Sequence, residues 1–383
     1  MNFNDCYPTI ARQIDLNIEN IGHTIMHVHF GSTGVVSFDN HHVIVGSKNR
    51  GSNHLLIILY FDAEPMDQRM IKDAVVKIGQ YLKNEKGARE YDRQDFIIAT
   101  SDSNHNHISD FINNINKFKL SNKEDASIVN IWYYFLHGFI ALDWFREYEF
   151  YDTDTIIANK NFKYNYITMN RLVNGSRNYR LCLMSRLEEK NLTSNALVSY
   201  SPYTDADTFE HDYLLPSNEL HRVEKFCSTT KRFDLEGDMI PNDSMHINVN
   251  AHLNSFLHLI TETCYYQKFN HLTEKVFKPI VMMQPFILAG TEGSLRYLKQ
   301  YGFKTFSKWI DESYDKIVDP FKRLDAITHE VEKICALSQA EQQAMYDEML
   351  PTLIHNRRHF YGKFYSILHK EMWDNFRLAL PQT

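Results

Sequence analysis

Short apolar runs, each about a strand long and closed by turn residues, alternate with amphipathic stretches along this chain. The runs are HTIMHVHFG from His23, HLLIILYF from His54, QDFIIATS from Gln94, NALVSYS from Asn195, SFLHLIT from Ser255 and PFILAG from Pro285. Helical spacing falls between them in MDQRMIKDAVVKIGQYLKN from Met66, HISDFINNINKF from His107, NYRLCLMSRLEEKN from Asn178 and EGSLRYLKQYG from Glu292. Strands separated by helices pair in parallel, so the pattern predicts an α/β class. Residues 128–150 read as one aromatic-rich helix, and the polar stretch YDTDTIIANKNFKYN from Tyr151 then breaks the periodicity. The expected organisation is an α/β domain over 1–155, a second over 156–350 and a helical tail over 351–383. Two such domains make a cleft, with ligands at the carboxyl ends of the strands.

A chain of 383 residues accommodates two or three domains with substantial cores. The net charge of -7 argues against a general binder of nucleic acid or anionic membrane. Cys6, Cys182, Cys227, Cys264 and Cys335 are odd in number and form no CxxC pair, which fits a reducing, cytoplasmic setting. The first twenty residues lack a basic region followed by an apolar one, and the apolar runs are too short to span a bilayer. No GxGxxG, Walker or G-x-S-x-G pattern occurs, which removes support for dinucleotide, ATPase and serine-hydrolase readings.

The stretch FNHLTEKVFKPIVMMQPFILAG from Phe269 carries the most chemistry. The strand before it ends at Glu262, where a carboxylate would face the cleft. Thr273 stands as N-cap before an apolar-periodic helix through Val276, Phe277, Ile280 and Val281. Free N–H groups at such a start favour an anion, and Lys275 adds a full charge. Glu274 suits ribose hydroxyls. Taken alone, the segment is more simply a capped helix with a solvated Glu and Lys.

The order FLHLITE, HLTEKVFKPI, PFILAG resembles the donor-binding region of the fucosyltransferase-type, inverting glycosyltransferases. The resemblance covers Ser255–Phe306 and implies a GT-B-like fold, two Rossmann-like domains facing one cleft. It implies that Glu274 holds the donor ribose and Lys275 the diphosphate, and that Glu262 matches the family's carboxylate before the loop. The family's phosphate-binding arginine at the start of a helix maps to Arg180, while Arg171 and Arg177 read as surface residues. The expected donor is a nucleotide-diphosphate sugar used without metal or other cofactor. Cationic side chains (Arg180, Lys275) and the helix start at Thr273 would then neutralise the leaving group; Lys278 either assists or lies on a solvated face.

Inversion needs a general base. HLLIILYF runs into Asp62 and Glu64, with Pro65 setting the next helix. By resemblance Glu64 is the proposed base and Asp62 the runner-up; both also fit as helix N-terminal charges. His137 is a candidate acceptor contact, although a lone His on an apolar helix is ordinarily a satisfied core residue. Asp143 and Arg146 have the spacing to pair with each other. The strings at Asp152/Asp154 and Asp205/Asp207 read as turns rather than metal ligands, and His27/His29 and His105/His107 fall short of a closed metal site. The acceptor is a glycan or other hydroxyl. A non-catalytic nucleotide- or glycan-binding protein is the alternative. Nucleic acid is a less favoured partner, reachable through KNRGSNH and IHNRRHFYGKFYSILHK.

Overall fold

The structure is a computed structural model that describes residues 24–29, 44–45, 54–60, 93–102, 126–170, 172–173, 175–200, 215–229 and 244–380. Two compact units emerge, Met1–Ile140 with Ser366–Thr383, and Ala141–Tyr365. The division thus falls before the polar stretch at Tyr151 rather than at residue 155. Residues 351–383 are shared between the two units rather than forming a separate tail.

The first unit is built on a five-stranded sheet of β1 (Thr24–His29), β2 (Ile44–Val45), β3 (His54–Tyr60), β4 (Arg93–Thr100) and β5 (Ala126–Tyr133) in the order β2-β1-β3-β4-β5. Only the β1–β2 pair is antiparallel. Leu56–Tyr60 and Ile97–Ala99 are almost wholly buried, as expected of parallel strands.

β5 corrects the reading of 128–150 as one helix. Residues 126–133 pair in parallel with β4, from Gln94↔Ala126 to Thr100↔Tyr133. Ile128, Val129 and Ile131 are β-branched and favour a strand, and a short apolar run does not declare its period. Helix α1 (Leu136–Trp144) follows after a two-residue switch. The Ser101 hydroxyl fixes that switch, donating to Tyr134 O and accepting from Leu136 N, each at 3.0 Å.

The last helix among the described residues, α10 (Tyr365–Ala379), buries Leu368, Met372, Phe376 and Ala379 along one stripe. Within the first unit, Trp132 Nε1 donates to Met372 O at 2.9 Å, and its ring lies 4.8 Å from that of Phe376.

The second unit holds a wholly parallel sheet of β6 (Tyr164–Asn170), β7 (Leu197–Tyr200), β8 (Ser255–Thr261) and β9 (Phe286–Ala289), ordered β7-β6-β8-β9. Every residue of β8 is buried. Its helices include α2 (Thr153–Ala158), α3 (Tyr179–Glu189), α4 (Ser217–Thr229), α5 (Val249–Asn254), α6 (Phe277–Val281), α7 (Ser294–Gln300), α8 (Pro320–Cys335) and α9 (Gln339–His359). α8 starts on Asp319 with Pro320 in its first turn, and α9 on a Ser338–Glu341 capping box. No helix among the described residues is long and apolar enough to cross a membrane.

Two buried histidines make this unit sensitive to acid. His252 Nδ1 meets Gln284 Oε1 at 2.7 Å, while Gln284 Nε2 donates to Ser255 O and Oγ at 2.8 Å. This arrangement places the His252 proton on Nδ1. His258 lies 5.0 Å from it, ring to ring. Burial, then the charge of Lys278, lowers His258 to about 3; burial, then His258 and Lys160, lowers His252 well below its usual value. Both are neutral when folded and take up protons only on unfolding. Stability is therefore full above the ordinary histidine value and lost as pH falls from about 6.5 toward the folded values, at about 1.4 kcal/mol per pH unit for each ring. Urea titrations between neutral pH and pH ~5 will show this decline, and His258→Gln will make it shallower. An equal slope in that variant would rule His258 out as a cause.

Candidate active site

Because β6, β8 and β9 run parallel, their carboxyl ends share one edge of the second sheet, where α/β folds bind ligands. Thr261 Oγ1 donates to Asn170 Oδ1 at 2.8 Å across that edge. Glu262, 1% exposed, follows immediately. Its carboxylate accepts from Thr273 Oγ1 at 2.6 Å, Thr273 N at 3.2 Å and Thr263 N at 3.3 Å. The residue expected to face a ligand therefore ties the Thr273 segment to the end of β8.

Thr273 is the residue before the helical turn, but its hydroxyl caps no amide. Its backbone is extended (φ -111, ψ -177), and its hydroxyl proton goes to Glu262. A 3-10 turn, Glu274–Val276, leads into the five residues of α6. A helix this short has little dipole to offer an anion, so the charge at the site comes from side chains. Lys275 Nζ donates to Thr273 Oγ1 at 3.0 Å and Thr263 Oγ1 at 3.4 Å, and lies 3.8 Å from Glu274 Oε1. The Lys275 side chain is 29% exposed and that of Glu274 only 6%. The ammonium is thus held at the sheet edge by two hydroxyls while still reaching solvent.

Arg180 lies in the first turn of α3, and Tyr179–Leu187 are all buried, so the helix has no solvated face there. Its guanidinium donates to Leu172 O at 2.7 Å, Glu262 O at 2.9 Å and Thr261 O at 3.1 Å. Nε finds no partner among the described residues. Carbonyls satisfy this cation without cancelling its charge, so a buried positive charge sits beside the Glu262 backbone. Arg180, Glu262, Thr273, Glu274 and Lys275 are therefore brought to one edge of the sheet.

Aromatic support for this edge was missed in the sequence reading. Tyr179 and Tyr265 stack at 4.0 Å with planes 9° apart, and the Arg323 guanidinium lies 4.3 Å from the Tyr265 ring centre. Tyr179 Oη donates to Glu262 O at 2.6 Å, and burial pushes its phenol up to about 12. Arg323 donates to Tyr265 O and Ile317 O, both at 2.6 Å. The adjacent tyrosines just past Glu262 were the available signal. Nearby, the amides at the start of α7 are already taken, since Asp315 accepts from Leu295 N at 2.8 Å and Arg296 N at 3.2 Å.

Asp62 and Glu64 lie outside the described residues, as do Arg171, Asp205, Asp207, His105 and His107. His137 is 6% exposed in the first turn of α1, just beyond the carboxyl end of β5. Asp143 and Arg146 do pair with each other, and Asp152 caps α2 by accepting from Thr155 N at 3.0 Å. Lys278 neither faces solvent nor joins the edge; it is 7% exposed and donates to His246 O at 2.8 Å. In IHNRRHFYGKFYSILHK, Arg357 is buried on the carbonyls of Val281, Tyr148 and Tyr151, and the rings of His355 and His359 bond Gly302 O and Tyr301 O. This segment therefore spends much of its basic character internally. No group of three or more His, Cys, Asp or Glu among the described residues is arranged to hold a metal.

No protein-family model matches the chain, and no curated protein does. Solved structures overlap it loosely. The α,α-trehalose 6-phosphate synthase of Burkholderia multivorans covers 98% of this chain and 77% of its own at 10% identity and a TM-score of 0.36. An E. coli structure described as trehalose-6-phosphate bound with UDP-2-fluoro glucose covers 95% and 77% at 13% and 0.38. The DNA modifying enzyme β-glucosyltransferase covers 83% and 81% at 9% and 0.37. With likenesses this loose, the functional reading rests on the residues of the site.

Proposed function

We propose that this chain is a GT-B glycosyltransferase that moves a sugar from a nucleotide-diphosphate donor to an acceptor hydroxyl, with inversion and without a metal. The observation that carries the reading is the position of Lys275. Its ammonium is part-exposed at the carboxyl edge of a parallel sheet, braced by Thr263 and Thr273 and close to Glu274. In this reading Lys275 meets the diphosphate and Glu274 the ribose. Arg180 adds a fixed positive charge from behind the strand end, stabilising the negative charge that develops on the leaving group. Glu262 is the positioning residue that holds Thr273, and through it Lys275. Glu64 is the proposed base, with Asp62 as the alternative, and His137 an acceptor contact.

The test is donor-dependent release of nucleoside diphosphate in the presence of a hydroxyl acceptor. Turnover in wild type, with Glu64→Gln lowering kcat while nucleotide binding persists, is the expected result. Nucleotide binding with no turnover for any donor would instead favour a binding protein, and unchanged kcat in Glu64→Gln would remove that residue from the chemistry.

A further inference from the structure

Arg323 has no counter-charge. It lies in the first turn of α8, is 3% exposed, and meets no carboxylate among the described residues. Its guanidinium donates instead to the carbonyls of Tyr265 and Ile317, both at 2.6 Å, and of Val318 at 3.5 Å. Nε has no partner among the described residues. Burying a cation without an acid costs stability that an apolar side chain of similar volume would keep. What an apolar side chain lacks is the planar fork, which donates in its own plane while a ring lies against its face.

That ring is Tyr265, wholly buried and held at both faces. One face stacks on Tyr179 at 4.0 Å, so the guanidinium, 4.3 Å from the ring centre, covers the other. Tyr265 Oη donates to Pro320 O at 2.9 Å, and its backbone N to Gln267 Oε1 at 2.9 Å. Tyr179 is wholly buried as well and donates from Oη to Glu262 O at 2.6 Å. The Glu262 carboxylate reaches Thr273 Oγ1 at 2.6 Å, and that hydroxyl meets Lys275 Nζ at 3.0 Å. A continuous run of contacts thus leads from α8 to the part-exposed ammonium.

We infer that Arg323 is a positioning residue for the diphosphate of the donor, acting through the Tyr265–Tyr179 stack on Glu262 and so on Lys275. The inference rests on the reading that Lys275 meets the diphosphate. A lysine stem is flexible, so the place of its ammonium is set by the hydroxyls that brace it. Hydrogen bonds weaken steeply once donor and acceptor leave their narrow range of distance and angle. Loosening the stack lets Glu262 and Thr273 shift, and the ammonium shifts with them. The fold survives such a change, because Arg180 still donates to Glu262 O at 2.9 Å.

The test is calorimetric titration of the full-length protein with GDP, UDP, ADP and TDP, well below the melting temperature of each variant. Arg323→Lys keeps the charge and loses the fork; Tyr265→Leu loses the stack; Tyr265→Phe restores the ring. For a nucleotide that wild type binds, the dissociation constant should rise about tenfold in Arg323→Lys and Tyr265→Leu, the lower end of what losing one hydrogen bond to a charged group brings. Tyr265→Phe should recover most of that loss. Glu219→Ala, which loosens the same unit between α3 and α4, should bind as wild type does. A merely structural arginine would lower the melting temperature and leave the affinity of the folded protein unchanged. Affinities within about twofold of wild type in Arg323→Lys and Tyr265→Leu, or an equal loss in Glu219→Ala, overturn the inference and leave the proposed function standing. Failure of wild type to bind any of the nucleotides overturns the proposed function, and this inference with it.

Discussion

Lys275→Ala is expected to remove at least half of the thermal stabilisation that one nucleoside diphosphate confers on the wild-type protein. A ligand at 100 times its dissociation constant adds about 2.7 kcal/mol, which a unit of this size registers as several degrees, at roughly 2–4 °C per kcal/mol. A hydrogen bond from an ammonium to a phosphate contributes roughly 1.5–3 kcal/mol, so its loss weakens binding by about 10- to 150-fold and removes roughly half to nine-tenths of the shift. The unliganded variant should melt where wild type does. Lys275 is part-exposed and its hydrogen bonds go to hydroxyls, which water satisfies equally well. The measurement is a melting series against GDP, UDP, ADP, TDP and CMP for both proteins. A shift equal in both would place the diphosphate elsewhere, and no shift from any nucleotide would leave the Thr273 segment a tied-down turn and nothing more.

Glu219→Ala should cost about 3–5 kcal/mol of stability, the usual effect of stranding one half of a buried ion pair. Glu219 is 2% and Arg186 5% exposed, and they meet through two bonds of 2.6 and 2.7 Å that join α3 to α4. Burial works against the Arg186 charge. Hydrogen bonds to Glu219 and Asp325 outweigh it and hold the guanidinium above its ordinary value. An arginine guanidinium keeps its proton in proteins, so Arg186 stays charged when Glu219 is removed. Asp325, at 2.7 Å, remains, but it is 62% exposed and its attraction is screened by solvent. Urea unfolding of the second unit reports the loss, and an apolar pair, Arg186→Met with Glu219→Leu, should recover part of it. A loss below about 1 kcal/mol would mean that Asp325 alone satisfies the arginine.

Strands whose burial is uniform were legible in sequence. The runs at His54, Gln94, Ser255 and Pro285 all became strands, because a buried parallel strand is a plain apolar run. The same simplicity hid β5, whose apolar residues continue into those of α1 and so merged with them into one apparent helix. The cluster at the sheet edge was legible in membership, but not the bonds within it. FLHLITE and HLTEKVF identified Glu262, Thr273 and Lys275 as neighbours, yet nothing local marks that the Thr273 hydroxyl turns to a carboxylate eleven residues earlier. Arg180 was assigned by resemblance to the start of a helix, and it does lie in the first turn of α3. Its bonds to Thr261 O and Glu262 O span more than eighty residues, a distance over which sequence periodicity carries no signal. Lys278 was misplaced for a related reason, since its partner His246 O belongs to a segment with no patterned link to it.

The wall that Met372 and Phe376 form against Trp132 has a consequence for synthesis on the ribosome. Domains generally fold as units while the chain emerges, the earlier ones first. Here residues 141–365 are complete before residues 366–379 have been translated, whereas the sheet begun at Thr24 still lacks its closing helix. The unit whose code is read first is finished last, and throughout that interval the nascent chain carries an incomplete apolar face.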